Sequence, residues 1–249
     1  QQYSRIARGL EKADLVLKDA RIVNVFTEEI IRGDIAIQDG IIAGIGSFHG
    51  KEERDLAGRY VCPGFIDSHL HLESTLVTPA ELVTAASRHG TTTFIVDPHE
   101  SANVSGLAGI DYILDQTEDV KANVYVMMPS CVPATAIDDN GCTLTAEDMV
   151  PYLHNSRILG LGEVMDSISV VQGEKSMHDK LELFEGRIRD GHAPFLEEGD
   201  LQAYAMAGIA TDHECSFFDY AMRERRNGLT ILVREGSAAR NLEALVGGL

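Results

Sequence analysis

Two histidines with one residue between them, His69 and His71, stand at the end of an apolar run in the segment Val61–Ser74. In an extended strand alternate side chains point to the same side, so Asp67, His69 and His71 are expected on one face. Two imidazoles held side by side on a strand can supply half of a metal site, because imidazole is a common metal ligand. The plainer alternative is a strand with two histidines that have no joint role.

Three more residues with metal-binding side chains follow later apolar runs. Glu163 ends the run I-L-G-L-G-E, His192 follows R-I-R-D-G, and His213 ends I-A-T-D-H. The carboxyl ends of parallel strands meet at one rim, so these three residues are expected to join His69 and His71 there. A single histidine at a strand end is more often structural, and Glu163 alone could cap a helix. The five together favour a metal site.

Five ligands exceed the three protein ligands and one water of a typical mononuclear catalytic zinc. A carboxylate between two histidine pairs can bridge two ions about 3.5–4 Å apart. We therefore predict that His69 and His71 hold one ion, that His192 and His213 hold the other, and that Glu163 bridges them. Imidazole and carboxylate ligands suit Zn, Fe or Mn alike. Such a centre activates water for attack on an electrophilic carbon, but the sequence does not single out the base that accepts its proton.

Other polar residues of the rim have several possible roles. Asp97, His99 and Glu100 follow the next apolar run and could bind an extra metal ion or position substrate; a helix cap and a local hydrogen bond explain them equally well. Further residues could orient a ligand or line a substrate pocket: Glu73, Ser130, Cys131, Asp212, Glu214, Arg234, Glu235 and Ser237.

The pattern of apolar and polar residues changes near residue 59. Residues 1–58 predict a small β-rich domain of antiparallel strands, preceded by a short helix from Tyr3 to about Lys12, and this domain is expected to be incomplete. Residues 59–249 alternate strand-like and helix-like segments, which predicts βαβ units with a parallel sheet. The predicted strands are Tyr60–Leu72, Thr91–Asp97, Asn123–Ser130, Ile158–Val164, Arg187–His192, Ile209–His213 and Thr230–Glu235.

Helix starts occur between these strands. Thr78 precedes Pro79 as a cap, Thr145 opens a capping-box pattern, and Ser237 is expected to open the last helix. Seven βα units are visible, so we predict an α/β fold of the (β/α)8 TIM-barrel type whose eighth unit is absent from this chain. The residues Gly247-Gly248-Leu249 come where an eighth strand should begin, and we expect the sequence to be the front part of a longer polypeptide.

The composition narrows the classes of partner. The 249 residues carry a net charge of −18, which disfavours binding to the phosphates of nucleic acid. No apolar run reaches the ~20 residues of a membrane span, and the first ten residues lack the apolar core of a signal peptide. The four cysteines form no C-x-x-C pair, so we expect reduced, buried cysteines in a cytoplasmic protein.

Seven sequence segments resemble one family. The segment P-G-F-I-D-S-H-L-H (63–71) resembles the metal motif of the amidohydrolase superfamily. Six later segments, in the same order, resemble adenine deaminases of the bacterial type. They are H-G-T-T-T-F-I-V-D-P-H-E (89–100), M-P-S-C-V-P-A-T (128–135), L-G-L-G-E-V-M (159–165), D-G-H-A-P (190–194), T-D-H-E-C (211–215) and R-E-G-S-A-A-R-N-L (234–242).

This resemblance implies hydrolytic deamination of a small-molecule substrate, adenine, to hypoxanthine and ammonia. It implies a dinuclear Mn or Fe centre, with Zn also compatible, in which Glu163 takes the bridging place that a carboxylated lysine holds in many superfamily members. It further implies an aspartate at the end of an eighth strand, which acts as metal ligand and proton shuttle and would lie beyond Leu249. A homo-oligomer is compatible with the sequence.

Two other interpretations remain open from the sequence. Another amidohydrolase that acts on a cyclic amide or imine would share the His-x-His motif, and only the later motifs favour adenine. A metal-binding homologue without activity would lack the acid of the eighth strand. Ammonia release from adenine, compared with hydrolysis of hydantoin or dihydroorotate, separates the two enzymatic interpretations.

Overall fold

Pro63 and Gly64 separate two sheets along the chain. The computed structural model describes residues 1–135 and 137–247, and contacts divide the chain into the units Gln1–Gly64 and Phe65–Leu249. The eighth strand was expected to begin at Gly247-Gly248-Leu249, and Gly248 and Leu249 lie outside the described residues. No helix in the described ranges is both long and apolar enough to cross a membrane.

The first unit is built on one sheet. Its elements are α1 (Gln2–Ala7), β1 (Ala13–Asn24), β2 (Glu29–Gln38), β3 (Ile41–Gly46), β4 (Gly50–Asp55) and β5 (Tyr60–Val61). The strand order is β3-β2-β1-β4, with β5 also on β1; β1, β2 and β3 pair antiparallel, whereas β4 and β5 pair parallel to β1. Val16, Ala36 and Phe48 pack with Ile6 in its core.

The second unit alternates strands and helices. Its strands are β6 (Phe65–Leu70), β7 (Thr91–Val96), β8 (Asn123–Met128), β9 (Ile158–Val164), β10 (Ile188–Gly191), β11 (Thr211–Asp212) and β12 (Thr230–Ile231). Its helices are α2 (Pro79–Ser87), α3 (His99–Ser105), α4 (Leu107–Gln116), α5 (Ala146–Met149), α6 (Ser167–Gln172), α7 (Lys175–Leu183), α8 (Glu198–Met206), α9 (Phe218–Arg226) and α10 (Leu242–Val246), with 3₁₀ turns at Leu72–Thr75 and Val150–His154.

The strands of this unit run parallel and in sequence order. β6 to β10 form one sheet, and β11 pairs with β12 in a second. The Ala210 N–H donates to the Arg189 carbonyl at 2.9 Å, which places β11 beside β10. Apolar residues on the strands, such as Val96 and Val126, pack against buried helix residues such as Ile110. The sheet is therefore half of a barrel wall, compatible with a TIM-type barrel, and its carboxyl ends share one rim.

Four local predictions are wrong. The run 60–72 forms two strands, because Pro63 lacks an N–H for the ladder and the chain leaves the first sheet there. The first helix ends at Ala7 instead of near Lys12, because Gly9 adopts φ 70° and its N–H turns back to the Ile6 carbonyl. The prediction that the cysteines are buried is wrong for Cys62, which is exposed, and for Cys142, which is only partly buried; both are free thiols.

The fourth correction concerns Ser237, which does not open a helix. Its segment forms a tight turn in which the Gly236 N–H donates to the Ala239 carbonyl and the Asn241 N–H to the Arg234 carbonyl. Because these backbone groups are engaged in the turn, α10 begins only at Leu242. The capping box at Thr145 is confirmed, since its hydroxyl accepts the Asp148 N–H.

Candidate metal centre

The five predicted ligands converge at the carboxyl ends of β6, β9, β10 and β11. Glu163 Oε1 lies 2.7 Å from His69 Nε2 and 3.0 Å from His71 Nε2. Its other oxygen, Oε2, lies 3.1 Å from His192 Nδ1, and His213 Nε2 is 3.7 Å from Oε1. Each histidine pair forms with Glu163 a triad whose ligand atoms lie within 4.8 Å of one another. The Glu163 carboxylate thus contacts imidazoles of both pairs, three through Oε1 and one through Oε2.

Hydrogen bonds behind the first pair determine which ring nitrogens carry protons. His71 Nδ1 lies 2.8 Å from the Asp97 carbonyl oxygen, and His69 Nδ1 lies 2.9 Å from Asp190 Oδ2. Both partners are acceptors, so both Nδ1 atoms must donate and the two Nε2 atoms of the neutral rings present lone pairs. The two Nε2 atoms lie 3.2 Å apart. Two nitrogen ligands of a tetrahedral ion with metal–nitrogen bonds of ~2.1 Å would lie ~3.4 Å apart, which is close to this distance.

Two buried atoms of this cluster lack hydrogen-bond partners within the described part of the chain: Glu163 Oε1 and His213 Nδ1. When both rings are neutral, the short distances from Glu163 Oε1 to His69 and His71 are contacts between acceptor atoms, with no N–H directed at the oxygen. A buried acceptor without a donor is costly unless a cation meets it. The donor set therefore fits divalent ions held by imidazole and carboxylate ligands.

The electrostatics of the cluster call for positive charge. Burial raises the pKa of Glu163, but the imidazoles of His192, His69 and His71 more than offset this and hold that pKa well below its usual range. Burial lowers the pKa of His69, yet the Asp190 and Glu163 carboxylates raise it to about 10, and Glu163 raises the pKa of His71 to about 9 despite burial. Divalent ions would supply this positive charge in place of ring protons.

His213 differs from the other histidines. Burial and the nearby His69 lower its pKa to about 3, so its ring stays neutral near pH 7 with a lone pair available. Its ring stacks on that of His69, with centroids 3.8 Å apart. His213 is thus ready to bind a cation without first losing a proton.

Asp97 supports the backbone of Glu163. Its Oδ2 accepts the Glu163 N–H at 2.7 Å, and its side chain is 1% exposed. His99 Nδ1 lies 3.5 Å from Asp97 Oδ1 and 4.0 Å from Glu163 Oε1, so Asp97, His99 and Glu163 also form a triad with potential ligand atoms. Burial lowers the pKa of His99, but Asp97 outweighs burial and raises it.

Glu73 and Glu100 make contacts away from this triad. Glu73 Oε1 accepts the N–H groups of Glu100 and Ser101 at 3.2 and 3.3 Å, at the start of α3. Glu100 is exposed and accepts a hydrogen bond from the Ser74 hydroxyl. These contacts brace the segment that carries His99.

Ser130 lies behind Glu163 and is fully buried. Its hydroxyl donates to the Glu163 carbonyl at 2.5 Å, and its own carbonyl accepts from Lys180 Nζ at 2.6 Å. Lys180 lies on α7, and no motif in the sequence pointed to it. Burial lowers the pKa of Lys180. The chain Lys180–Ser130–Glu163 connects α7 to the end of β9.

Asp212 joins two strand ends. Its Oδ1 accepts the Ala193 N–H at 2.7 Å, and its Oδ2 accepts the Glu214 and Cys215 N–H groups at 2.8 and 3.0 Å. Because Ala193 follows His192 and Glu214 follows His213, Asp212 ties together the backbones that carry the second histidine pair.

Glu214 and Arg234 form an ion pair next to the second histidine pair. Both guanidinium NH2 groups donate to the Glu214 carboxylate, with Nη2 3.2 Å from Oε2. Glu214 Oε1 lies 3.6 Å from His213 Nε2. Glu235, by contrast, is exposed and accepts the Leu242 N–H at 3.3 Å.

Asp190 belongs to this cluster, although no role for it was predicted from the sequence. It is buried and its carboxylate contacts His69 Nδ1, 121 positions away in sequence. Its position two residues before His192 was the available signal, since the same alternation identified His69 and His71.

We expect Asp190→Asn to weaken metal binding about 10- to 100-fold, because the amide no longer orients and polarises the His69 ring through its Nδ1 proton. Titration of the metal-free protein with Mn²⁺ measures this. Asp200→Asn is the matched control, since Asp200 is exposed on α8. The Asp200 variant should bind Mn²⁺ with the same affinity as the unchanged protein. Equal affinity in the Asp190 variant would show that this contact does not tune the ligand.

Residues 60–240 match the model of the family described as "Amidohydrolase family". Among curated relatives, the chain is 60% identical over 241 residues to "Adenine deaminase" of Desulfitobacterium hafniense, covering 97% of this chain and 42% of that protein. It is 49% identical over 245 residues to "Adenine deaminase" of Clostridium acetobutylicum, covering 98% of this chain and 43% of that protein. The chain thus spans less than half the length of these relatives.

Solved structures agree on the fold. A beta-aspartyl dipeptidase from Fervidobacterium islandicum superposes with a TM-score of 0.60 at 13% identity, covering 95% of this chain and 69% of that one. At such low identity the likeness concerns the fold alone. Since the family match takes in most of the sequence and includes all five converging side chains, this chain belongs to the amidohydrolase family.

Proposed function

We propose that the protein containing this chain converts adenine and water to hypoxanthine and ammonia. The observation that carries the proposal is the convergence of both imidazole pairs on the Glu163 carboxylate. Its Oε1 lies 2.7 Å from His69, 3.0 Å from His71 and 3.7 Å from His213, and its Oε2 lies 3.1 Å from His192. The relatives named adenine deaminase support the choice of substrate.

Two divalent ions, Mn or Fe in our proposal, would be held by these five residues, and when bound they supply electrostatic activation of water for attack on carbon. Asp190 and the Asp97 carbonyl hold the protons of His69 and His71 on Nδ1, which keeps both Nε2 atoms turned to the centre. Asp97 holds the Glu163 backbone. These contacts preorganise the ligands, so little rearrangement is needed during reaction.

Polar groups beside the centre are proposed to meet the heterocycle. Adenine offers both hydrogen-bond donors and acceptors, and the paired Glu214 and Arg234 present both kinds of group close to His213. The ion pair fixes the direction of the Glu214 carboxylate, because a guanidinium fork binds a carboxylate in one plane. We assign Glu214 and Arg234 to the wall of the substrate site.

For the whole protein we propose a (β/α)8 barrel, with an eighth strand between β12 and β6, and a cytoplasmic location. The sequential, parallel order of β6 to β12 supports the barrel. The aspartate that the family resemblance implies for that eighth strand would complete the centre.

The test uses the full natural polypeptide supplied with Mn²⁺ and an assay of hypoxanthine and ammonia. We expect adenine to be deaminated, the rate to fall to background after chelation, and Mn²⁺ to restore it, because the ligands alone cannot activate water. Hydrolysis of hydantoin or dihydroorotate with no ammonia from adenine would assign the centre to another amidohydrolase reaction. Stable binding of Mn²⁺ without turnover of any of these compounds would contradict an enzymatic role.

A further inference from the structure

A second group of acidic and sulfur ligands lies behind the metal centre. Asp212, Cys215 and Glu224 are 0%, 1% and 0% exposed, and each offers an atom within 4.8 Å of the others. Cys215 Sγ and Glu224 Oε2 are 2.5 Å apart. The group is closed off by apolar side chains, because Cys215 packs with Tyr220, Ala221 and Leu245.

Glu224 is a buried carboxyl group without a cationic partner among the described residues. Its Oε1 is buried and has no hydrogen-bond partner among residues 1–135 and 137–247. Over the same ranges, no lysine, arginine or histidine forms an ion pair with Glu224 or Asp212, and Arg234 is engaged by Glu214. Two buried carboxylates that are both ionised are unfavourable. Burial raises the pKa of Glu224 to about 8, so the group takes up either a proton or a metal cation.

Asp212 retains room for one more partner. A carboxylate has about four lone-pair sites, and three of those of Asp212 accept backbone N–H groups. Those bonds hold the carboxylate in place, and its remaining site lies within hydrogen-bond reach of the Cys215 and Glu224 side chains, whose atoms a cation would join to it. Glu224, on α9, brings a second carboxylate and Cys215 brings sulfur.

We propose that Asp212, Cys215 and Glu224 form a separate structural site for a thiophilic divalent cation, Zn²⁺ in the first instance. Thiolate ligation favours Zn²⁺ here, whereas the five-residue centre has only imidazole and carboxylate ligands. Uptake breaks the S–H bond of Cys215, forms a zinc–sulfur bond and releases the proton to solvent, with no change of oxidation state. Two ligand atoms on one Zn²⁺ ion are ~3.5 Å apart. Binding therefore increases the distance between Cys215 Sγ and Glu224 Oε2 by about 1 Å from its present 2.5 Å.

Such an ion would brace the second histidine pair. Asp212 holds the backbone after His192 and after His213, and Glu224 belongs to α9. A cation shared by Asp212 and Glu224 therefore fastens these strand ends to a helix. This site does not depend on the identity of the substrate.

The test replaces Zn²⁺ by Co²⁺ in the full natural polypeptide, because thiolate–cobalt bonds absorb in the near ultraviolet and the five-residue centre contains no sulfur. We expect the charge-transfer absorption in the unchanged protein and its loss in Cys215→Ser, together with about one ion per chain fewer. Cys131→Ser, which removes another buried thiol, and Cys62→Ser, which removes the exposed one, should keep the absorption.

Glu163→Gln separates this proposal from the proposed function. It should lower deaminase activity and ion content at the five-residue centre while the thiolate–cobalt absorption persists. Absence of the absorption in the unchanged protein loaded with Co²⁺ would overturn the second site, as would its persistence in Cys215→Ser. The measurement on the unchanged protein stands even if the Cys215 variant fails to fold.

Discussion

Glu163→Gln is expected to lower kcat for adenine deamination by about 10³-fold, the upper range for loss of one preorganised electrostatic group. The amide keeps the size of the buried side chain, but only one of its two terminal atoms can bind a cation. A cation on the side of the NH2 group therefore loses the ligand that both ions would share. Metal analysis by mass spectrometry should therefore show a lower ion content, alongside the fall in kcat.

Glu81→Gln is the control for this substitution. Glu81 is exposed on α2, and the same loss of charge there should leave both ion content and kcat unchanged. Circular dichroism checks that the Glu163 variant is folded. A folded variant that keeps its ions and its kcat would remove Glu163 from the centre and with it the proposal of a bridged pair.

Gly162→Ala is expected to lower kcat by about 10²-fold or more, because small displacements of catalytic groups have effects of this size. A Cβ on Gly162 would lie 2.2 Å from Asp97 Oδ2, the atom that accepts the Glu163 N–H. Asp97 is buried and has little space to retreat. The added methyl group thus displaces Asp97, and Glu163 moves with it.

The same crowding should lower the free energy of unfolding by about 1–3 kcal/mol, as overpacking of a buried site does. Urea unfolding measures this change, and a Mn²⁺ titration measures the accompanying loss of affinity. Gly199→Ala is the matched control, since a Cβ there meets no atom within 4 Å and Gly199 lies in α8. Unchanged stability and unchanged Mn²⁺ affinity in the Gly162 variant would show that Asp97 does not hold Glu163.

The convergence of the five candidate ligands could be predicted from the sequence because two simple periodicities apply. Alternate residues of a strand share a face, which paired His69 with His71. Parallel strands end at one rim, which brought Glu163, His192 and His213 to them. The seven strand positions followed from the alternation of apolar runs and helix starts, and the strands agree with the prediction apart from their ends and the break at Pro63.

Only the tertiary structure decided which residues support those ligands. Asp190 and His69 meet across 121 positions, and Asp97 reaches the backbone of a residue 66 positions away. Such contacts depend on the spacing of neighbouring strands and on side-chain rotamers, and sequence periodicity specifies neither of these. The association of Cys215 with Glu224 is of the same kind, since it requires α9 to pack behind the end of β11. Strand order thus determined which five side chains converge, whereas packing between the elements determined what holds them.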